Sequence, residues 1–208
     1  MPTGNGPPDG VAAWSLMSVS ITSLSIPETR LLVPDRFGDE RGFFSETYSR
    51  RDLAAGGIVD EFVQDNQSRS PHVGTVRGLH YQLPPFAQAK LVRVVKGSIF
   101  DIAVDLRQGS PSFGAHVAVT LSAAAWNQLY VPVGFAHGFC TLEPDTEVIY
   151  KVTAYYSREH DRGIRWNDPE LGIAWPVRDD TAVLSSKDLA LPMLDAVPQD
   201  ELFTAQDR

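Results

Sequence analysis

The residues best suited to proton and charge chemistry fall in three short strings. Gly74-Thr-Val-Arg-Gly-Leu-His-Tyr-Gln82 carries Arg77 and His80 in a strand-like stretch bounded by Gly74 and Pro84. Gln88-Ala-Lys-Leu-Val-Arg93 opens an apolar run with Lys90, and Val131-Pro-Val-Gly-Phe-Ala-His-Gly-Phe139 leads through a Pro-Gly turn to His137. An imidazole titrates at ~6.5, so His80 is apt for moving protons near neutral pH. Lys90 and Arg77 bring positive charge, which stabilises a developing oxyanion or a bound anion most strongly inside a dry pocket. Taken alone, a single histidine in a strand is more often a hydrogen-bonded core residue. The three strings become chemistry only if the fold turns them into one cavity.

Short strands are what the surrounding pattern predicts. From Phe43 to Tyr156 the apolar residues recur with period two, interrupted by Gly, Pro or Asn/Asp clusters. In residues 98–107, Phe100, Ile102, Val104 and Leu106 alternate with Asp101, Ala103 and Asp105, giving one apolar face and one mostly acidic face. Val148, Tyr150 and Val152 share one face of their strand, while Ile149, Lys151 and Thr153 share the other. Helix signals are confined to residues 49–57 and 122–126, each a short helix or a single turn, with another helix in the tail from Ser185. Many short antiparallel strands with a turn about every ten residues indicate a double-sheet jelly roll or a barrel, whose interior commonly holds a ligand.

Composition narrows the function classes. The chain has 208 residues, with 18 Lys+Arg against 26 Asp+Glu and a net charge of −8, which argues against a nucleic-acid binder. Hydrophobic residues at 43% suffice for a sizeable core. Cys140 is the only cysteine, so no intramolecular disulfide can form, and the protein is expected in the reducing cytoplasm. No apolar run approaches the ~18 to 20 residues of a membrane span, and the start lacks the basic region and long apolar stretch of a secretory signal. The Gly/Pro-rich residues 1–18 are expected to be a disordered tail, with Met17 an alternative start, ahead of a single domain at 19–208.

The spacing Pro132, Gly134, His137 resembles the second motif of the cupin superfamily, whose fold is a double-stranded β-helix jelly roll. Metal-binding cupins usually add His-x-His and a Glu, whereas Gly-Leu-His-Tyr-Gln82 offers one histidine. A transition-metal site wants at least three placed ligands, so neither a metal nor another cofactor is expected.

A narrower resemblance rests on motifs in order along most of the chain. Gly38-Asp-Glu-Arg-Gly-Phe-Phe44 with Glu46, Phe62-Val-Gln-Asp-Asn66, Arg77-Gly-Leu-His-Tyr-Gln82, Lys90-Leu-Val-Arg93, Phe100-Asp-Ile-Ala-Val-Asp-Leu-Arg107, Ser110-Pro-Ser-Phe-Gly114, Gly134-Phe-Ala-His-Gly-Phe139 and Trp166-Asn-Asp-Pro169 are similar to those of the dTDP-4-dehydrorhamnose 3,5-epimerase family. The resemblance implies an all-β cupin fold and a nucleotide-sugar substrate, dTDP-4-dehydro-6-deoxy-D-glucose, whose C3 and C5 flank a ketone. It implies His80 as base, Tyr150 as acid, Asp188 as the carboxylate orienting the histidine, and Lys90 at the enolate oxygen. Arg41, Glu46, Gln64, Asn66, Arg77, His137 and Lys187 match positions that contact the sugar nucleotide. Tyr156 matches the aromatic that stacks on thymine, with its neighbour Tyr155 left open for that role. Without the family, Tyr150 reads as a wall residue and Asp188 as part of a helix cap.

The family is dimeric, so a homodimer is expected, with no nucleic-acid polymer or membrane as partner. Two alternatives share these motifs: an epimerase acting at C3 or C5 alone, and a non-catalytic sugar-nucleotide-binding cupin. The intact His80, Tyr150 and Lys90 disfavour the latter.

Overall fold

The period-two alternation resolves into fifteen short strands in the computed structural model, which describes residues 18–204. In chain order they are β1 (Val19–Ser23), β2 (Arg30–Pro34), β3 (Phe37–Asp39), β4 (Gly42–Phe44), β5 (Gln64–Ser70), β6 (Val76–Gln82), β7 (Lys90–Lys96) and β8 (Ser98–Asp105). They continue as β9 (Arg107–Gln108), β10 (His116–Ser122), β11 (Gln128–Val131), β12 (Phe135–Thr141), β13 (Thr146–Val152), β14 (Asp161–Gly163) and β15 (Phe203–Thr204). A six-stranded sheet runs β1-β2-β11-β7-β13-β5, and a five-stranded sheet runs β10-β8-β12-β6-β14. Every pairing within these two sheets is antiparallel. This is the expected cupin-type jelly roll.

The sheets bury a shared core. Val92, Leu129 and Val148 from the larger sheet meet Ala103, Leu121 and Phe135 from the smaller one. A second apolar cluster lies on the outer side of the smaller sheet, where Ile102, Val104 and Leu106 are covered by Leu171, Val197 and Phe203 of the C-terminal segment. Strand β8 is therefore buried on both faces. Its apolar face is the outer one, and Asp101 and Asp105, both fully buried, point between the sheets with Ala103. Alternation reveals two faces but not which of them meets water, because a later segment can cover either one.

Burying a carboxylate costs free energy that hydrogen bonds or an opposite charge must offset, and at Asp105 hydrogen bonds do so in full. The Asp105 carboxylate accepts from the Arg107 backbone N–H and Nε, both at 2.9 Å, and from Nη2 at 2.8 Å. The hydroxyls of Ser110 and Ser112 add two more bonds at 2.7 Å. Arg107 also donates to Glu28 at 3.0 Å, and its guanidinium lies 4.8 Å from the Phe135 ring centre. The Asp-Leu-Arg and Ser-Pro-Ser-Phe-Gly strings thus serve the scaffold.

Helix α1 (Arg50–Ala55) follows the signal at 49–57, with Ser49 Oγ accepting from Asp52 N. Residues 122–126 make only a turn. There Trp126 takes a positive φ of 60°, and its indole donates to Ser45 and meets Phe43 edge-on, so the helix does not propagate. The tail signal becomes α2 (Ser186–Leu189). The expected tail at 1–18 lies outside the described residues except for Ser18, whose hydroxyl donates to Asp52 at 2.9 Å. Cys140 is buried and free. Among the described residues no helix is long and apolar enough to cross a membrane.

Burial works against ionisation of Asp105, yet the bonds from Arg107 and the two serines hold its carboxyl below the ordinary aspartate value. Its contribution to stability is then present above the unfolded value of ~3.9 and disappears as pH falls through the folded one. Asp105→Asn is expected to cost about 3 to 5 kcal/mol in urea unfolding at pH 7 and to flatten the acid dependence below pH ~4.

Candidate active site

Strand β6 carries the first functional side chain. Gly78 has a φ of +119°, and a Cβ there would lie 2.6 Å from the Gly138 Cα and 2.7 Å from the His137 carbonyl oxygen. Only glycine allows β6 and β12 to close at this point. The pairing register shifts between His137 and Phe139, and His137 and His80 become direct cross-strand partners.

Each histidine is fixed by a carboxylate. His80 Nε2 lies 2.5 Å from Asp188 Oδ1, a bond between residues 108 positions apart. Asp188 sits in α2, where the Ser185 hydroxyl accepts from its backbone N–H at 3.1 Å and donates to its Oδ2 at 2.8 Å. One serine therefore caps the helix and turns the same residue's carboxylate toward the His80 ring. Burial opposes ionisation of Asp188, but the bonds from His80 and Ser185 and the charge of Lys187 hold its carboxyl below the ordinary range. An ionised carboxylate can only accept, so Nε2 of neutral His80 carries the hydrogen and Nδ1 presents the lone pair. The second pair is buried: His137 Nε2 lies 2.7 Å from Asp101 Oδ1, and Asp101 Oδ2 has no hydrogen-bond partner among the described residues.

The opposite wall comes from the six-stranded sheet. Lys90 opens β7 with its side chain inward, 7% exposed, and its ammonium donates to the His80 carbonyl at 3.2 Å. Burial pulls its pKa down to about 8, although Asp101 and Asp161 favour the charged form. Tyr150 shares its face of β13 with Val148 and Val152, as the alternation indicated, and the fold turns that face inward. Burial pushes its phenol above the ordinary value, with Arg77 opposing, so the hydroxyl keeps its proton at neutral pH.

A cavity of about 390 Å³ is lined by Arg77, His80, Lys90, His137, Tyr150, Lys187 and Asp188 among others. It shares His80, Lys90, Tyr150 and Lys187 with a neighbouring space of about 470 Å³ lined by Gln64, Asn66, Gln82, Tyr156 and Asp161. Together they form one cleft. Gln64 donates to Asn66 at 2.7 Å, and Arg77 is steadied by Ser70 Oγ at 3.1 Å. Lys187 and Tyr156 both bond the Asp161 carboxylate, and Tyr155 is not among the residues lining either space.

Ten of the twelve expected site residues therefore meet here. Arg41 and Glu46 do not: Arg41 lies in the turn between β3 and β4 with its guanidinium on Asp39, and Glu46 follows β4 on the surface. Asp101, Asp161 and Ser185 were missed by sequence reasoning. The alternation of β8 carried a signal for Asp101, and no pattern marked Asp161. Among the described residues no group of three or more His, Cys, Asp or Glu is arranged to hold a metal ion.

Known proteins match this chain over most of its length. Residues 23–196 match the family model described as dTDP-4-dehydrorhamnose 3,5-epimerase. The enzyme of that name from Sinorhizobium fredii is 54% identical over 180 residues, spanning 85% of this chain and 90% of that protein. A Bacillus anthracis enzyme solved with TDP and PPi bound superimposes with a TM-score of 0.82 at 50% identity, covering 85% of this chain and 99% of the other. A Legionella pneumophila epimerase in complex with dTDP-4-keto-L-rhamnose has a TM-score of 0.85 at 43% identity, covering 90% and 99%. On the strength of its matched length and identity, the chain belongs to the dTDP-4-dehydrorhamnose 3,5-epimerase family.

Proposed function

We propose that the protein inverts C3 and C5 of dTDP-4-dehydro-6-deoxy-D-glucose, giving dTDP-4-dehydro-L-rhamnose, by side-chain proton transfer without metal or cofactor. The observation that carries this reading is the placement of the base on one sheet and the acid on the other. His80, oriented by Asp188, and Tyr150 line the same cavity from opposite walls. Inversion at a carbon beside a ketone requires a proton to leave one face and another to arrive on the opposite face. His80 Nδ1 takes the proton, and the electron pair of the broken C–H bond moves into an enolate whose oxygen is met by the Lys90 ammonium. Tyr150 then protonates the carbon from the far side.

Arg77 and Lys187 suit the diphosphate, Gln64, Asn66 and His137 suit the sugar hydroxyls, and the half-exposed Tyr156 ring suits the thymine. The β3–β4 hairpin presents Phe43 and Phe44, 56% and 64% exposed, together with Arg41. This supports a homodimer in which a second copy covers those rings and gives Arg41 and Glu46 a ligand to meet. A compartment without oxidising chemistry, the cytoplasm, suits the buried free thiol.

Conversion in heavy water should place deuterium at both C3 and C5 by NMR; label at one carbon selects the single-site alternative, and none selects the non-catalytic one. His80→Ala is expected to lower exchange by roughly 10² to 10⁴ while dTDP still binds. Tyr150→Phe leaves His80 able to take a proton and return it on the same face, so exchange should outlast inversion; equal loss of both would remove Tyr150 as the acid. Because Lys90 is charged below about 8 and neutral above it, turnover should fall as pH rises through that value. Lys90→Arg, whose guanidinium stays protonated, should lose this alkaline limb. Activity is expected to survive exhaustive EDTA treatment, and a loss restored by one divalent ion would overturn the metal-free reading.

A further inference from the structure

Between β13 and β14 the chain forms no strand pairing, yet it carries Tyr156 at the mouth of the cleft. Two glutamine side chains take the place of a ladder. Gln82 follows His80 by two positions on the same face of β6 and is 3% exposed. Its Nε2 donates to the Phe86 carbonyl at 2.7 Å and to the Tyr155 carbonyl at 3.2 Å, and its Oε1 accepts from the Ser157 N–H at 2.7 Å. Gln88 Nε2 donates to the Ala154 carbonyl at 2.7 Å. The backbone is thus gripped on both sides of Tyr156, from the last residue of the base strand and from the loop that joins it to the lysine strand. The ring's far end is tied by its hydroxyl to Asp161 at 2.9 Å.

The chemistry of this grip is selective. Residue 82 must donate to two carbonyls and accept from one N–H at once, which a primary amide does and a carboxylate or an ammonium does not. The amide is also uncharged, so it leaves the field around His80 and Lys90 undisturbed.

We propose that Gln82 and Gln88 are positioning residues that hold Tyr156 over the cleft and thereby set the affinity for the nucleotide end of the ligand, apart from the proton chemistry. The inference rests on the reading above in which Tyr156 stacks on the base. Gln82→Met keeps the bulk and removes the amide. It is expected to weaken dTDP binding in calorimetry about tenfold, within the range that base–aromatic stacking supplies. The rate of deuterium exchange at saturation should stay within about threefold, the signature of lost uniform binding.

Gln82→Glu adds a readout that a merely structural role would not move. Ionised, it sets a carboxylate against two carbonyls; protonated, it recovers one donor. Its dTDP affinity relative to the wild type should therefore rise as pH is lowered through the carboxyl's titration.

Tyr156→Ala separates the two levels of the argument. If it binds dTDP as the wild type does, the stacking reading fails and the inference falls with it. If it binds weakly while Gln82→Met binds normally, stacking stands and the clamp is overturned. The double variant Gln82→Met/Tyr156→Ala should be no weaker than Tyr156→Ala alone, and an additive loss would likewise overturn it. Should Gln82→Met fail to fold, the half-buried Gln88→Met decides the matter: weaker dTDP binding supports the clamp, and unchanged binding removes it.

Discussion

The hydrogen bond between His80 and Asp188 joins the middle of one sheet to a four-residue helix near the end of the chain. A general base needs a fixed tautomer and a fixed ring plane, and in a flexible segment neither would hold. The molecule meets that demand in stages. Glycines at 78 and 138 bring β6 against β12 and seat His80 in the wall. Ser185 turns Asp188 toward the ring, and the isolated pairing of Thr75 with Val183 anchors the segment that leads into α2. The C-terminal residues then cover the outer apolar face of the same sheet. Burial of ordinary aliphatic side chains is thus what delivers a carboxylate to an imidazole.

Charge is handled locally. The chain is acidic overall, at −8, yet the cleft gathers Arg77, Lys90 and Lys187 within one space. A uniformly acidic surface would repel a dianionic ligand, and these three cations, set among the carboxylates of Asp161 and Asp188, supply local positive charge inside the cleft. The same principle explains why two inward aspartates on β8 do different work. Asp105 is saturated by Arg107, Ser110 and Ser112 and belongs to the scaffold. Asp101 spends one oxygen on His137 and keeps the other unpaired beside Lys90, where its charge favours the ammonium.

Much of this was legible in the chain itself. The strands from Phe43 onward, the face that Tyr150 shares with Val148 and Val152, and the strings around His80, Lys90 and His137 follow from alternation and motif order. Other features were not, for identifiable reasons. The apolar face of residues 98–105 is covered by residues distant in sequence, so no local window shows that its acidic partner face points inward. Asp188 reads as a helix cap because it also is one. Arg41 lies in the turn of the β3–β4 hairpin and Glu46 follows that hairpin on the surface, and no local pattern shows how far either stands from the cleft. Asp161 draws its meaning from Tyr156 and Lys187, which reach it from different segments.

The parallel pairing of β15 with β9 has a consequence for the timing of synthesis. A chain made on the ribosome emerges from its N-terminus, and the sheets bearing His80, Lys90 and Tyr150 are complete before residues 185–204 have been translated. During that interval the imidazole stands without its carboxylate, and the outer face of the five-stranded sheet lacks the cover of Val197 and Phe203. A nascent chain short of Asp188 therefore cannot hold the His80 ring in one orientation through this bond. The pairing of His80 with Asp188 thus waits for residues 185–204, and the same event completes the cover over the outer apolar face of that sheet.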